Sequence, residues 1–196
     1  MYIVLLFFDY ALNHRMEEWT VKKDVYIMIT QTGTKFSRVL QLFTHAQYNH
    51  ASIALDENLE SLYSFARQNL YIPIFAGFVK EDINKGVYKL HDNTLCEIYR
   101  ISISEEQYLS LQKSVEKFEE NEDKYSYNFV GLITMLFNIP YHREYHYVCS
   151  QFVAYLLHDS KSINFEKHFS LIRPQDFTSL SESHLIYSGK LSNYIA

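Results

Sequence analysis

The stretch Tyr48-Asn49-His50-Ala51-Ser52-Ile53-Ala54-Leu55-Asp56 decides how the chain is read. Alternation places His50, Ser52 and Ala54 on one face and Ala51, Ile53 and Leu55 on the other, which is the period of a strand. A face built from a histidine and small residues leaves room for a helix to come close. Asp56-Glu57-Asn58 then reads as a turn and Leu59 to Arg67 as the returning strand, a hairpin signal. With residue 55 opposite residue 59, His50 lies across from Ser64, and Glu60 falls on the same face. A slip of one residue would turn Ser64 to the far side.

Working outward, Asp24 to Thr30 is rich in β-branched and aromatic residues and reads as a strand. It leads through Gln31-Thr32-Gly33-Thr34 into a short helix expected over Ser37 to Phe43. Residues 68–94 carry Pro73, Gly77 and Gly86 and read as an irregular excursion. Leu95 to Ile103 is another strand. Ser104-Glu105-Glu106-Gln107 matches a capping box, and a helix follows from 105 to about 121 with Tyr108, Leu111, Val115 and Phe118 on one stripe. Phe129 to Phe137 and Cys149 to His158 are two further helices, the second striped by Phe152, Val153, Leu156 and Leu157. Strands and helices are partly segregated. The expected fold class is α+β, a small antiparallel sheet packed against helices in one domain spanning residues 1–196.

Composition narrows the function classes. The 196 residues hold 18 basic and 23 acidic side chains, a net charge of −5, which argues against a nucleic-acid module. Five Gly and three Pro argue against linkers and disorder, and two cysteines are too few for a disulfide-stapled scaffold. The apolar run Tyr2 to Phe8 ends at Asp9 without preceding basic residues, so it reads as a buried strand or helix start rather than a secretory leader. No apolar run approaches the roughly 20 residues of a membrane span. A soluble, cytoplasmic protein is expected.

Cys149 begins an amphipathic helix. Unpaired N–H groups and the positive dipole end of a first helical turn favour a thiolate and offer donors to an oxyanion. A free cysteine is also a common small core residue, and Cys96, in mid-strand, reads as that alone. A histidine within reach of a thiol is the basic unit of cysteine nucleophile catalysis, which makes His50 the candidate base. Ser64, or more distantly Glu60, would orient the ring as the third member of a triad. A zinc site at His142, His146 and Cys149 is the competing chemistry, from their H-x3-H-x2-C spacing. A binding module without catalysis is a third reading, with Tyr141, Tyr145 and Tyr147 lining a groove for an acyl ligand. Arg173, beside Pro174, could hold a substrate carboxylate.

Taken together, His50 on a strand, a polar residue on the next strand and a Cys149-Ser150-Gln151-Phe152-Val153-Ala154 helix resemble the permuted papain-like cysteine hydrolases. These are circularly permuted relatives of the NlpC-type amidases; the YiiX/YebB-like branch is the nearest in pattern, and lecithin:retinol acyltransferase belongs to the same broad group. The resemblance spans residues 24–180, through Thr30 to Phe43, Tyr48 to Asp56, Leu62 to Arg67 and Tyr147 to Leu157, and leaves 1–23 as an extension. It implies a papain-like fold, a Cys149 nucleophile and a His50 base. The reaction implied is cleavage of an amide, ester or thioester, or acyl transfer, through an acyl-enzyme without a cofactor. The implied substrate is a small molecule, a peptide or a lipid-like acyl compound. Tyr48, close to His50, is the candidate oxyanion donor. Ser64 departs from the His, Glu, Asp or Asn usual at the third position, since serine cannot stabilise an imidazolium by charge.

Overall fold

Val25 to Thr30 are buried without a break, so this segment lies inside a sheet covered on both faces. In the computed structural model, which describes residues 21–32, 46–68 and 75–195, that segment is the middle of strand β1 (Lys22–Gln31). The strands that follow are β2 (His50–Ala54), β3 (Leu62–Arg67), β4 (Ala76–Glu81), β5 (Leu95–Ser104), β6 (Ser126–Tyr127), β7 (His146–Tyr147) and β8 (Ser183–Lys190). Four α-helices accompany them among the described residues: α1 (Gly86–Leu90), α2 (Glu105–Glu120), α3 (Phe129–Leu136) and α4 (Cys149–Asp159). Six strands form one antiparallel sheet in the order β4-β3-β2-β1-β5-β8, and β6 and β7 pair in parallel beside it. The architecture is α+β.

One face of the sheet carries Val25, Ile27, Ile29, Ala51, Ile53 and Phe65, and α2 and α4 cover it with Leu111, Val115, Phe118, Phe152, Leu156 and Leu157. Much of the aromatic surplus is spent here. The Phe65 ring lies 5.2 Å from the rings of both Tyr147 and Phe152, and 6.1 Å edge-on from Phe118. Each such fully buried ring is worth about 1.5–3 kcal/mol of transfer free energy. Behind the sheet, Tyr26, Met28, Ala54, Leu62, Cys96 and Ile98 make a second core, closed by Tyr88 of α1 and by Leu191.

The capping box at the head of α2 forms as its sequence implies. Ser104 Oγ accepts from the Gln107 N–H at 3.2 Å, and Gln107 Oε1 accepts from the Ser104 N–H at 2.9 Å. Among the described residues no helix is long and apolar enough to cross a membrane.

The hairpin differs from its expected register. Leu55 N–H donates to the Ser61 carbonyl, and the ladder pairs Ile53 with Tyr63 and Ala54 with Leu62. The turn is therefore two residues longer than Asp56 to Asn58. The Asp56 carboxylate holds it open by accepting from the N–H groups of Glu60 and Ser61, and Leu59 takes a left-handed conformation at φ 59°. A shift of two keeps every side chain on its expected face but brings Ser64 level with Ser52 rather than His50.

Residues 68–94 are less irregular than they read, because β4 and α1 lie within them. Gly77 looks like a loop signal, yet it sits in β4 where the backbone of Tyr125 passes close: a Cβ there would lie 2.6 Å from the Tyr125 carbonyl oxygen. The helix expected over Ser37 to Phe43 and the apolar run Tyr2 to Phe8 lie outside the described residues.

Candidate active site

The site forms where β2 and β3 part. Their ladder ends at Ile53 and Tyr63, while β3 continues alongside β4 as far as Arg67. Helix α4 packs on the Ala51 and Ile53 side of β2, not on the His50 face of small residues that seemed to make room for it. Its first residue reaches the unpaired edge, and there the Cys149 sulfur accepts hydrogen bonds from the Ala51 and Ser150 N–H groups.

The helix start is fixed by Gln151. Its Oε1 accepts from the Val148 N–H at 3.0 Å, and its Nε2 donates to the Ser170 carbonyl at 2.8 Å. Asn128 caps α3 by accepting from the Gly131 N–H at 2.8 Å, and its own N–H donates to the Tyr147 carbonyl. The short β6–β7 pairing thus holds Tyr127 beside the helix start, with its hydroxyl hydrogen-bonded to Cys149.

His50 Nε2 lies 2.8 Å from Glu81 Oε1, which leaves Nδ1 as the nitrogen to meet the Cys149 thiol. Glu81, the last residue of β4, is the hub of the site. Oε1 also accepts from Ser64 Oγ at 2.7 Å, while Oε2 accepts from Ser52 Oγ at 2.6 Å and from the Tyr88 hydroxyl at 2.9 Å. Four donors satisfy a carboxylate whose side chain is only 9% exposed, so the charge is buried without being orphaned.

Electrostatics follow from this packing. Burial raises the Glu81 carboxyl, but the His50 charge and the hydrogen bonds from His50, Ser52 and Ser64 outweigh it, and the net shift is downward. Burial likewise opposes the His50 imidazolium, yet Glu81 and the Cys149 hydrogen bond carry its pKa up to about 10. Burial opposes the Cys149 thiolate, and the hydrogen bond and charge of His50 with the two backbone N–H groups bring its pKa below the usual thiol value. These shifts all favour the charged forms: thiolate at Cys149, imidazolium at His50 and carboxylate at Glu81. Cys96 is the contrast: burial and then Glu97 push its thiol up to about 12.

The other expected site residues make contacts different from those expected. Ser64 touches Glu81 and not the imidazole. Glu60 is exposed in the turn after Asp56. The Tyr48 hydroxyl bonds to Glu97 and Ser188, and burial followed by Glu97 raises its pKa to about 12, so it is not a donor to Cys149. The zinc reading fails on geometry. His142 packs its ring on Tyr147 and Phe169, His146 Nδ1 lies against the Glu144 carbonyl, and no three His, Cys, Asp or Glu side chains converge on a metal position among the described residues. Arg173 is engaged, its Nη2 donating to the Met135 carbonyl at 2.8 Å.

Cys149 and His50 open onto a cleft of about 530 Å³ bounded by β3, β4, α1, Tyr127 and Phe129. A pocket of that size admits a small organic molecule or an extended peptide segment. Glu81 and Tyr127 are the residues that sequence reasoning missed. A Lys-Glu pair closing a Gly-containing segment reads as surface, and Tyr127 is placed by a two-residue strand. No protein-family model, curated protein or solved structure matches the chain.

Proposed function

We propose that this protein is a papain-like cysteine hydrolase or acyltransferase, with Cys149 as nucleophile, His50 as general acid–base and Glu81 as the residue that orients and charges the imidazole. The observation that carries this reading is the His50–Glu81 contact at 2.8 Å behind a thiol at a helix N-terminus open to a cleft.

In this reaction the Cys149 thiolate attacks a carbonyl carbon, and the carbonyl electron pair moves to oxygen. The Cys149 and Ser150 N–H end of α4, with the Tyr127 hydroxyl, provides donors for that oxyanion. His50 then gives its proton to the departing amine, alcohol or thiol, and a thioester remains on Cys149. Water, or another acceptor, attacks the thioester as His50 takes its proton, and the thiolate is regenerated. Glu81 supplies the negative charge that a serine at the third position lacks, which favours an active enzyme over a bare binding module. The reading needs no metal or cofactor.

The test is covalent labelling by iodoacetamide at neutral pH. Wild type is labelled at Cys149 and not at Cys96, and Cys149→Ala abolishes the label. His50→Ala slows it at least tenfold; equal labelling of wild type and His50→Ala overturns the ion-pair mechanism.

A further inference from the structure

The cleft has an uneven charge balance. Of the acidic side chains lining it, Glu81 is matched by His50, and Asp82 is matched by Lys85, whose Nζ lies 2.7 Å from Asp82 Oδ2. Lys80 is exposed at the rim, with its ammonium 5.6 Å above the Tyr63 ring. Arg67, at the end of β3, is half-buried in the cleft wall, and its guanidinium has no carboxylate or carbonyl partner among the described residues. The same cleft carries apolar surface from Phe65, Val79, Val87, Tyr127 and Phe129.

A guanidinium is a planar fork that binds carboxylate oxygens in pairs, and it does so most strongly where water is scarce. Half-buried and with no carboxylate partner among the described residues, it has its donors available to an anion that enters the cleft. Arg173, the arginine that the sequence offered for this task, is already tied to a carbonyl.

We infer that the cleft selects substrates that join an apolar segment to a carboxylate, with Arg67 binding the carboxylate while the scissile carbonyl lies at Cys149. The inference rests on the hydrolase reading for the role of Cys149, but the binding of the anion does not need a working thiol.

The experiment therefore uses Cys149→Ala and measures binding by calorimetry. Two probes are used, suberic acid monoanilide and N-octanoyl-6-aminohexanoic acid, each beside its methyl ester; they place the carboxylate on the acyl side or on the leaving side. At least one acid should bind tenfold or more tightly than its ester. Adding Arg67→Gln should abolish that difference while leaving the ester's affinity and the melting temperature unchanged, and adding Lys80→Gln should preserve it. Equal binding of acid and ester, no binding of either acid, or a preference that survives Arg67→Gln overturns the inference. Loss of iodoacetamide reactivity in the wild type would overturn the enzyme reading and leave the binding result standing.

Discussion

His50 Nε2 lies 2.8 Å from Glu81 Oε1, although the two residues are 31 positions apart and sit on strands separated by β3. The contact closes the gap left where β2 and β3 part, and it fixes which imidazole nitrogen faces the thiol. Glu81→Ala should therefore cost both chemistry and fold. Removing one partner of a buried pair leaves the other uncompensated, at about 3–5 kcal/mol. Glu81→Gln keeps an acceptor and most of the shape, so it should lose less stability while still slowing iodoacetamide alkylation at least tenfold at pH 7. Urea unfolding and alkylation rates of the two variants separate these effects; equal alkylation by Glu81→Gln and wild type would remove the carboxylate charge from the mechanism.

The pH dependence has a direction at each group. His50 is raised from 6.5 to about 10, so the stability it contributes is complete below about 6.5 and lost as pH rises toward 10. Glu81 is lowered from 4.5, so its contribution is complete above about 4.5 and lost as pH falls through its lowered value. The thiolate of Cys149 forms below the ordinary thiol value of 9.0. Alkylation should titrate with a midpoint below 9.0 and not fall on the alkaline side, whereas turnover of an amide should fall near pH 10 as His50 loses the proton it donates. A single alkylation limb centred near pH 9 would contradict the pair.

Ser64→Ala removes one of four donors to Glu81 and no contact with the imidazole. A hydrogen bond to a charged group is worth about 1.5–3 kcal/mol, so stability at neutral pH should fall by about that much. The alkylation rate should drop less than in Glu81→Gln, and the acid limb of stability should move to higher pH because Glu81 is less well held. Ser52→Ala should behave alike in stability but lower the rate further, since Ser52 Oγ also lies 3.2 Å from His50 Nε2. Denaturation from pH 3 to 7 measures the limb.

How far the sequence reaches can be seen at these same residues. The face shared by His50, Ser52 and Ser64 was legible because strand alternation survives a register error of two. The register itself was not, since the Asp56 side chain builds a longer turn from hydrogen bonds that no pattern displays. That Cys149 opens a helix was legible from the amphipathic stripe that follows it. Glu81 was not, because a Glu beside Lys80 has the composition of a surface, and only the convergence of Ser52, Ser64 and Tyr88 makes its burial affordable. Tyr48 misled by proximity along the chain: its hydroxyl faces β5 and β8, and a strand neighbour two residues away need not share a site.

Ser150 offers a check on packing next to the nucleophile. Its Oγ is buried with no hydrogen-bond partner among the described residues, so it bears a desolvation cost with no return from them. Ser150→Ala keeps the backbone N–H that faces the sulfur and removes only that oxygen. It should leave stability unchanged or raise it by up to about 1 kcal/mol, a gain of about 2–4 °C in melting temperature, with alkylation unaltered. A loss of more than 1 kcal/mol would mean that the hydroxyl has a structural partner after all.

Tyr127 separates thiolate formation from acyl chemistry. Burial, then the charge and hydrogen bond of Cys149, hold its hydroxyl protonated well above the usual tyrosine range, so at working pH it is a donor aimed at the sulfur and the space beside it. Alkylation by iodoacetamide displaces iodide and builds no oxyanion, whereas attack on an ester or amide does. Tyr127→Phe removes the donor and keeps the ring that lines the cleft. Iodoacetamide labelling should stay within about threefold of wild type, while turnover of an activated ester should fall about 10²–10³-fold, the loss expected for one oxyanion donor. Parallel losses in both assays would mean that Tyr127 acts on the thiolate; unchanged turnover would leave the oxyanion to the helix N–H groups alone.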